Sequence, residues 1–132
     1  MVEIPEPVAR MIKHPDTHKV LTTTFPDGKP HAIVCASLDV EDNDTVVVGE
    51  VYMQRTCENI QKNPNVEFLV WLGKNAYSLQ AVLESRETEG PTFEKMRAAL
   101  DKFNMEAVAV WRFTVTGIWD ESASRTAGDR VV

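Results

Sequence analysis

From Val66 to Glu87 the chain reads as two apolar runs folded back on each other, and this hairpin limits the architecture more than any other stretch. Val66–Leu72 is a nearly unbroken apolar run of strand length, Gly73-Lys74-Asn75 turns it, and Tyr77–Glu87 continues with Leu79, Ala81 and Leu83 alternating against Ser78, Gln80 and Glu84. Upstream, Lys19–Phe25 is rich in Val, Leu and Thr, Pro26-Asp27-Gly28-Lys29 is a turn signal, and His31–Leu38 is a second apolar run. The acidic stretch Asp39–Asp44 suits a turn before a third strand, Thr45–Gly49. Ala107–Trp119 is the longest strand, with Trp111, Phe113, Val115 and Trp119 on one side and Arg112, Thr114 and Thr116 on the other.

The helical segments are short. Pro5 and Pro7 suit a first turn, Val8, Met11 and Ile12 share a face, and His14-Pro15 ends the helix. Thr56–Lys62 is a second helix, stopped by Asn63-Pro64. Gly90-Pro91-Thr92 opens a third, whose stripe Phe93, Met96, Ala99, Leu100 and Phe103 is expected to cover an open end or face of the sheet. The polar tail Asp120–Val132 is expected to be loose. Six strands in hairpins, with helices too short for a doubly wound sheet, predict a small antiparallel barrel with appended helices. Phe68, Trp71, Trp111 and Phe113 exceed what so small a barrel is expected to hide, which predicts an interface between copies.

A length of 132 residues fits a single domain over 1–132 with a real core and no disulfide or metal staple. With 14 Lys plus Arg against 20 Asp plus Glu, the formal charge is -6 and no basic block stands out, so nucleic acid is a poor partner. The N-terminal residues lack the basic and apolar regions of a leader, and no run is long enough to cross a bilayer, which predicts a soluble, cytoplasmic protein away from membranes. Cys35 and Cys57 lack CxxC spacing and read as reduced, structural thiols, although a helix N-terminus could lower the pKa of Cys57.

Few residues suggest chemistry of their own. His14 and His18 flank Asp16, but Pro15 breaks the helix that would align them and no third ligand is near, so no metal site is expected. A His31–Cys35 nucleophile pair is separated by more than ~12 Å of strand. No GxGxxG, GxxxxGK[ST] or GxSxG occurs, and any redox or group transfer would belong to a bound cofactor. One loop is more suggestive. After the β-branched run ending at Gly49, Arg55 and Thr56 fall at a helix start, where charge, hydroxyl and unpaired N–H groups can address a phosphate. The same residues also read as a plain Thr56 N-cap, with Asn59 three residues on and a solvated arginine.

These segments together resemble the pyridoxamine 5'-phosphate oxidase-related FMN-binding split-barrel family over roughly Val8–Gly128. Lys19-Val-Leu-Thr-Thr-Thr-Phe-Pro-Asp-Gly-Lys-Pro-His-Ala-Ile-Val is similar to the family's first hairpin, and Phe113–Gly128 to its last strand and tail. Met53-Gln54-Arg55-Thr56-Cys57-Glu58-Asn59-Ile60 followed by Asn63-Pro64-Asn65-Val66 resembles its Lys/Arg-Thr-x-x-Asn helix start and Asn-Pro-x-Val strand entry. The resemblance implies an all-β, six-stranded antiparallel split β-barrel of Greek-key type, acting as a homodimer with two FMN sites at the subunit interface. It implies that Arg55 and Thr56 hold the 5'-phosphate, that Val51, Tyr52, Met53 and Gln54 run beside the flavin ring or ribityl chain, and that Val34, Cys35 and Ala36 add mainly backbone contacts, because some relatives carry polar or aromatic residues there. A contact from the partner subunit would come from Phe103–Met105. The chain lacks the C-terminal basic residues that hold substrate phosphate in true pyridoxamine 5'-phosphate oxidases, so that activity is not implied.

The expected function is thus electron transfer or flavin-dependent redox chemistry, with an unidentified redox partner or small-molecule substrate. A sister enzyme using the deazaflavin F420 would need more basic residues around the groove than Lys13, Lys19, Lys29 and Lys74 promise. Non-catalytic flavin or haem binding is the remaining alternative, because fold alone does not fix function.

Overall fold

The computed structural model describes residues 2–132 and is built on one curled antiparallel sheet. Its elements are α1 (Glu6–Lys13), β1 (His18–Thr24), β2 (Pro30–Val34), β3 (Asp39–Asp42), β4 (Thr45–Gly49), α2 (Gln54–Lys62), β5 (Asn65–Leu72), β6 (Asn75–Glu87), α3 (Pro91–Asp101) and β7 (Val110–Asp120). The strand order is β2-β1-β5-β6-β7-β4-β3. Both hairpins expected from turn chemistry form, with Val20 opposite Val34 in one and Val66 opposite Ala81 in the other. Gly28 and Gly73 supply the positive φ that their turns require.

The sheet has seven strands, not six. Asp39–Asp42, expected as a turn, is β3, which pairs Asp39 with Val47 and Val40 with Val46. Three of its four residues are acidic, so it carries no β signature. The guanidinium of Arg112 draws two of them in, lying 3.8 Å from Glu41 and 3.8 Å from Asp42, and it is itself held 3.1 Å from Glu87 of β6. Thr92, on the first turn of α3, donates to Glu41 at 2.8 Å and accepts from Arg112 at 2.7 Å. The second strand is also shorter than its apolar run suggests. It stops at Val34, and Cys35–Leu38 turns toward β3, with the Leu38 N–H donating to the Cys35 carbonyl.

One core fills the curl. Leu21, Val46, Val48, Phe68, Val70, Leu79, Phe113, Val115 and Ile118 come from five strands, and Val8 and Ile12 of α1 close one end. Phe68 and Phe113 meet edge to face at 5.4 Å. Phe68, Trp111 and Phe113 are fully buried within one chain, so the interior is larger than expected and these residues are no reason for an interface. Strand β4 is buried on both faces, because Val46 and Val48 enter the main core while Val47 packs with Met96, Leu100, Ala107 and Val110 under α3.

A register shift places Gln80 opposite Gly117 but Ala81 opposite Val115. This bulge reverses the alternation of β7, so Ile118 enters the core and Trp119 does not share the side of Trp111 and Phe113. The tail is not loose. Its Val131 N–H donates to the Ile118 carbonyl, the Asp120 N–H donates to that of Asp129, and Arg130 stacks over Trp119 at 4.9 Å.

The end of β4 is fixed from two directions. Glu50 accepts from Trp111 Nε1 at 2.7 Å and from Arg86 at 2.9 and 3.2 Å, and the Arg86 guanidinium, followed by that indole N–H, holds its carboxyl below the usual carboxylate range. Gly49 next to it lies against α3, where a Cβ would stand 2.7 Å from Leu100 Cδ1.

Gly49→Ala is expected to destabilise the fold by about 1–3 kcal/mol through overpacking, read as a lower urea midpoint; an unchanged midpoint would show that α3 can retreat freely. A depressed carboxylate stabilises the fold above its unfolded pKa and ceases to do so as pH falls through the folded value. The urea midpoint of the wild type should therefore fall more steeply between roughly pH 5 and pH 3 than that of Glu50→Gln. Parallel curves would remove Glu50 from the acid response.

Candidate functional site

The loop leaving β4 and the turn leaving β2 face each other across a cleft of about 560 Å³. Val34, Cys35 and Ala36 lie along one side, and Gly49, Val51, Tyr52 and Met53 along the other. The Ser37 hydroxyl holds the two sides at their base, accepting from the Gly49 N–H at 3.0 Å and lying 3.4 Å from its carbonyl. Leu100, Phe103 and Met105 form a third wall, and Lys13, His14, Thr17 and Lys19 close the far end. The volume and the mostly apolar lining with a few polar groups are those of a small-molecule site.

Six of the nine residues singled out in the sequence thus line one cleft. Gln54 instead borders an adjoining hollow with Val51, Tyr52, Met53 and Cys57, while Arg55 and Thr56 border neither. Helix α2 starts two residues earlier than expected, so Thr56 is its third residue and not its N-cap; Met53 holds that position without a side-chain cap bond. Thr56 is buried, and its hydroxyl has no hydrogen-bond partner. Arg55 is exposed and makes no ion pair among the described residues. The first turn of α2 therefore keeps a spare buried donor, a free guanidinium and N–H groups outside the helical ladder. Below it, the Asn59 amide donates to Thr23 Oγ1 at 3.1 Å and fastens α2 to β1. Such groups are of the kind that can hold an anion.

Tyr52 carries the site's backbone strain. Its φ is 51°, a left-handed value uncommon for a bulky residue, and its side chain is wholly exposed at the mouth of the cleft. Val34, Phe103 and Met105 are also exposed around the same rim. Phe103, expected within the buried stripe of α3, lies beyond the end of that helix and faces solvent at the cleft.

Neither thiol is poised to react. Burial pushes Cys35 up to about 12. Burial, followed by the neighbouring Glu50 carboxylate, pushes Cys57 up to about 12, against the lowering expected at a helix N-terminus. Both are unpaired, and no group of three or more His, Cys, Asp or Glu residues is placed to hold a metal among the described residues. Sequence reasoning missed Thr17, Ser37 and the part of Lys13, His14 and Lys19 in the cleft. The only signal for the two lysines was their position on either side of the Pro15 turn, which returns the end of α1 to the start of β1.

The fold has known counterparts. The chain matches the family model described as pyridoxamine 5'-phosphate oxidase over residues 4–130. An FMN-binding protein from Syntrophomonas wolfei subsp. wolfei superposes with a TM-score of 0.81 at 18% identity, over 89% of this chain and 85% of that one. HupZ of Group A Streptococcus superposes with a TM-score of 0.80 at 20% identity, over 95% and 99%. An F420 reductase does so with a TM-score of 0.68 at 16% identity, over 87% and 98%. No curated protein matches in sequence. The family match over nearly the whole chain, together with the split-barrel fold shared with these structures, shows that this protein belongs to the pyridoxamine 5'-phosphate oxidase family.

Proposed function

We propose that the cleft binds FMN, and that the protein is a homodimeric, cytoplasmic flavoprotein working in electron transfer or in redox chemistry on a small molecule. The observation that carries this reading is the first turn of α2, where the buried, unpartnered hydroxyl of Thr56 lies beside the unpaired Arg55. These groups would hold the 5'-phosphate by charge-assisted hydrogen bonds. The cleft residues Val34–Ala36 and Val51–Met53 would flank the ring through backbone and apolar contacts, with Gln54 at its edge. Bound FMN supplies the one- or two-electron chemistry that the protonated thiols do not. The chain's own part is to position that ring, exclude water along the apolar wall of Leu100, Phe103 and Met105, and leave a mouth for the reacting partner.

The F420 reductase among the similar structures keeps a second reading in view, and Lys13 and Lys19, on either side of the Pro15 turn, both line this cleft. An absorption spectrum of protein purified without added cofactor separates flavin, deazaflavin and haem. The exposed rim of Val34, Tyr52, Phe103 and Met105 supports an assembly in which a second copy covers it. Unpaired cysteines support a reducing compartment.

Arg55→Ala is expected to weaken FMN about ten- to a hundredfold while leaving riboflavin nearly unchanged. Equal loss for both ligands, or none, would remove Arg55 from the phosphate site. Light scattering of the FMN-loaded protein at micromolar concentration should give twice the chain mass, and Tyr52→Ser with Phe103→Ser should shift it toward monomer. A monomeric wild type would overturn the homodimer.

A further inference from the structure

Tyr52 joins two properties that folding alone does not account for. Its backbone is left-handed, at φ 51°, where a bulky side chain is strained and glycine or asparagine is not, and its phenol ring is wholly exposed. The conformation is imposed from both sides. Before it, the Glu50 N–H donates to the Ala109 carbonyl at 2.9 Å and the Glu50 carbonyl accepts from the Val108 N–H at 3.2 Å; after it, the Met53 carbonyl accepts from the Cys57 N–H at 2.9 Å. Among the described residues, the N–H groups of Val51, Tyr52 and Met53 donate to no group of the chain, so this turn keeps three spare donors beside the cleft. Glycine would hold the same turn without strain, and a ring packed on nothing adds nothing to the stability of the fold. Such a ring acts where something outside the chain meets it.

The residue stands between two spaces of unlike chemistry. Tyr52 borders both the cleft of about 560 Å³ and the adjoining hollow of about 510 Å³. Around the mouth of the cleft Val34, Phe103 and Met105 are apolar and exposed, and no Asp or Glu lines that space. The hollow is polar by contrast, with Gln54, Glu58, Gln61 and Glu106 in its walls. A phenol suits each side, because its ring face stacks on flat apolar groups while its hydroxyl donates to carboxylates and amide carbonyls. With no neighbour packed on it, the side chain turns between the two by rotation about its own bonds.

We propose that Tyr52 is a gate on the cleft. With the flat ligand in place, its ring lies over the face left open at the mouth, and a reacting small molecule gains that face when the ring turns toward the hollow and its hydroxyl is bonded there. The proposal rests on the flavin reading of the cleft and adds to it a device that regulates access, shielding the bound ring from water and admitting a reactant in exchange for the phenol.

The test compares FMN-loaded wild type with Y52N and Y52F, which all carry the same charge. Asparagine tolerates the left-handed backbone, so apo Y52N should melt no lower than wild type. With FMN bound, Y52N should show several-fold brighter flavin emission and several-fold stronger quenching of that emission by iodide, because the stacked ring is gone. Its FMN dissociation constant should rise about two- to tenfold. Y52F keeps the cover and loses the hydroxyl that holds it aside, so its emission and iodide access should equal those of wild type or fall below them. Emission and iodide access in Y52N equal to wild type would overturn the gate, as would a lower melting temperature of apo Y52N, which would make the ring part of the folded core. Dissociation of Y52N under conditions where wild type is a dimer would assign the ring to the contact between copies, and a Y52F as bright and open as Y52N would show that no ring covers the flavin; each overturns it. If the wild type takes up no FMN, the flavin reading fails and the gate falls with it, whereas FMN bound by all three proteins with the same emission removes the gate alone.

Discussion

The hydroxyl of Ser37 is the small interaction on which the site depends. A sheet ordered from β2 to β3 has two free ends, and here the chain leaving β2 is tied to the last residue of β4 by one side chain and not by a ladder of backbone bonds. Closing the curl this way brings Cys35 and Ala36 opposite Val51 and Met53 while leaving space between them. A full ladder would have filled that space with backbone. Gly49 makes the clasp possible on its other side, because α3 approaches where a side chain would stand.

Glu50 performs the complementary task one residue later. Its carboxylate collects the indole N–H of Trp111 and the guanidinium of Arg86, so the chain leaves β4 in a direction set by β6 and β7. Tyr52 then adopts its left-handed backbone within a short span anchored by Glu50 on one side and by the Asn59–Thr23 bond on the other. Strain of that kind persists only where the surroundings over-determine the conformation, and it ends at the residue that stands free at the cleft.

Much of this fold was legible because its signals are local. The Asp27-Gly28 and Gly73-Lys74 turns, the alternation of Tyr77–Glu87 and the Asn63-Pro64 stop each act within a few residues. What was not legible depends on partners distant in sequence. Strand β3 is held by Arg112, some seventy residues on, and nothing in Asp-Val-Glu-Asp announces it. The face of Trp119 turns on a bulge set by the register with β6. In the site, Arg55 and Thr56 were identified from helix-end chemistry and Val51–Gln54 from the family resemblance, but the start of α2 at Gln54 moves Thr56 from cap to buried donor. The cations of the cleft look scattered in one dimension, and only the Pro15 turn joins Lys13 to Lys19.

The packed tail has a consequence of its own. Strand β4 pairs with β7 only as far as Thr114, so the remaining length of β7 would present unpaired amides and carbonyls on that side. Val2 donates to the Val115 carbonyl, and the chain from Asp129 to Val132 takes up Ile118 and Asp120, while the Trp119 ring and Arg130 lie over the bare backbone at Gly117. These two terminal segments act as a cover strip along a strand edge that could otherwise recruit a strand from another molecule. Shortening the C-terminal one, or pulling it away with a fused sequence, would remove no residue of the main core and yet bare an edge open to edge-to-edge aggregation.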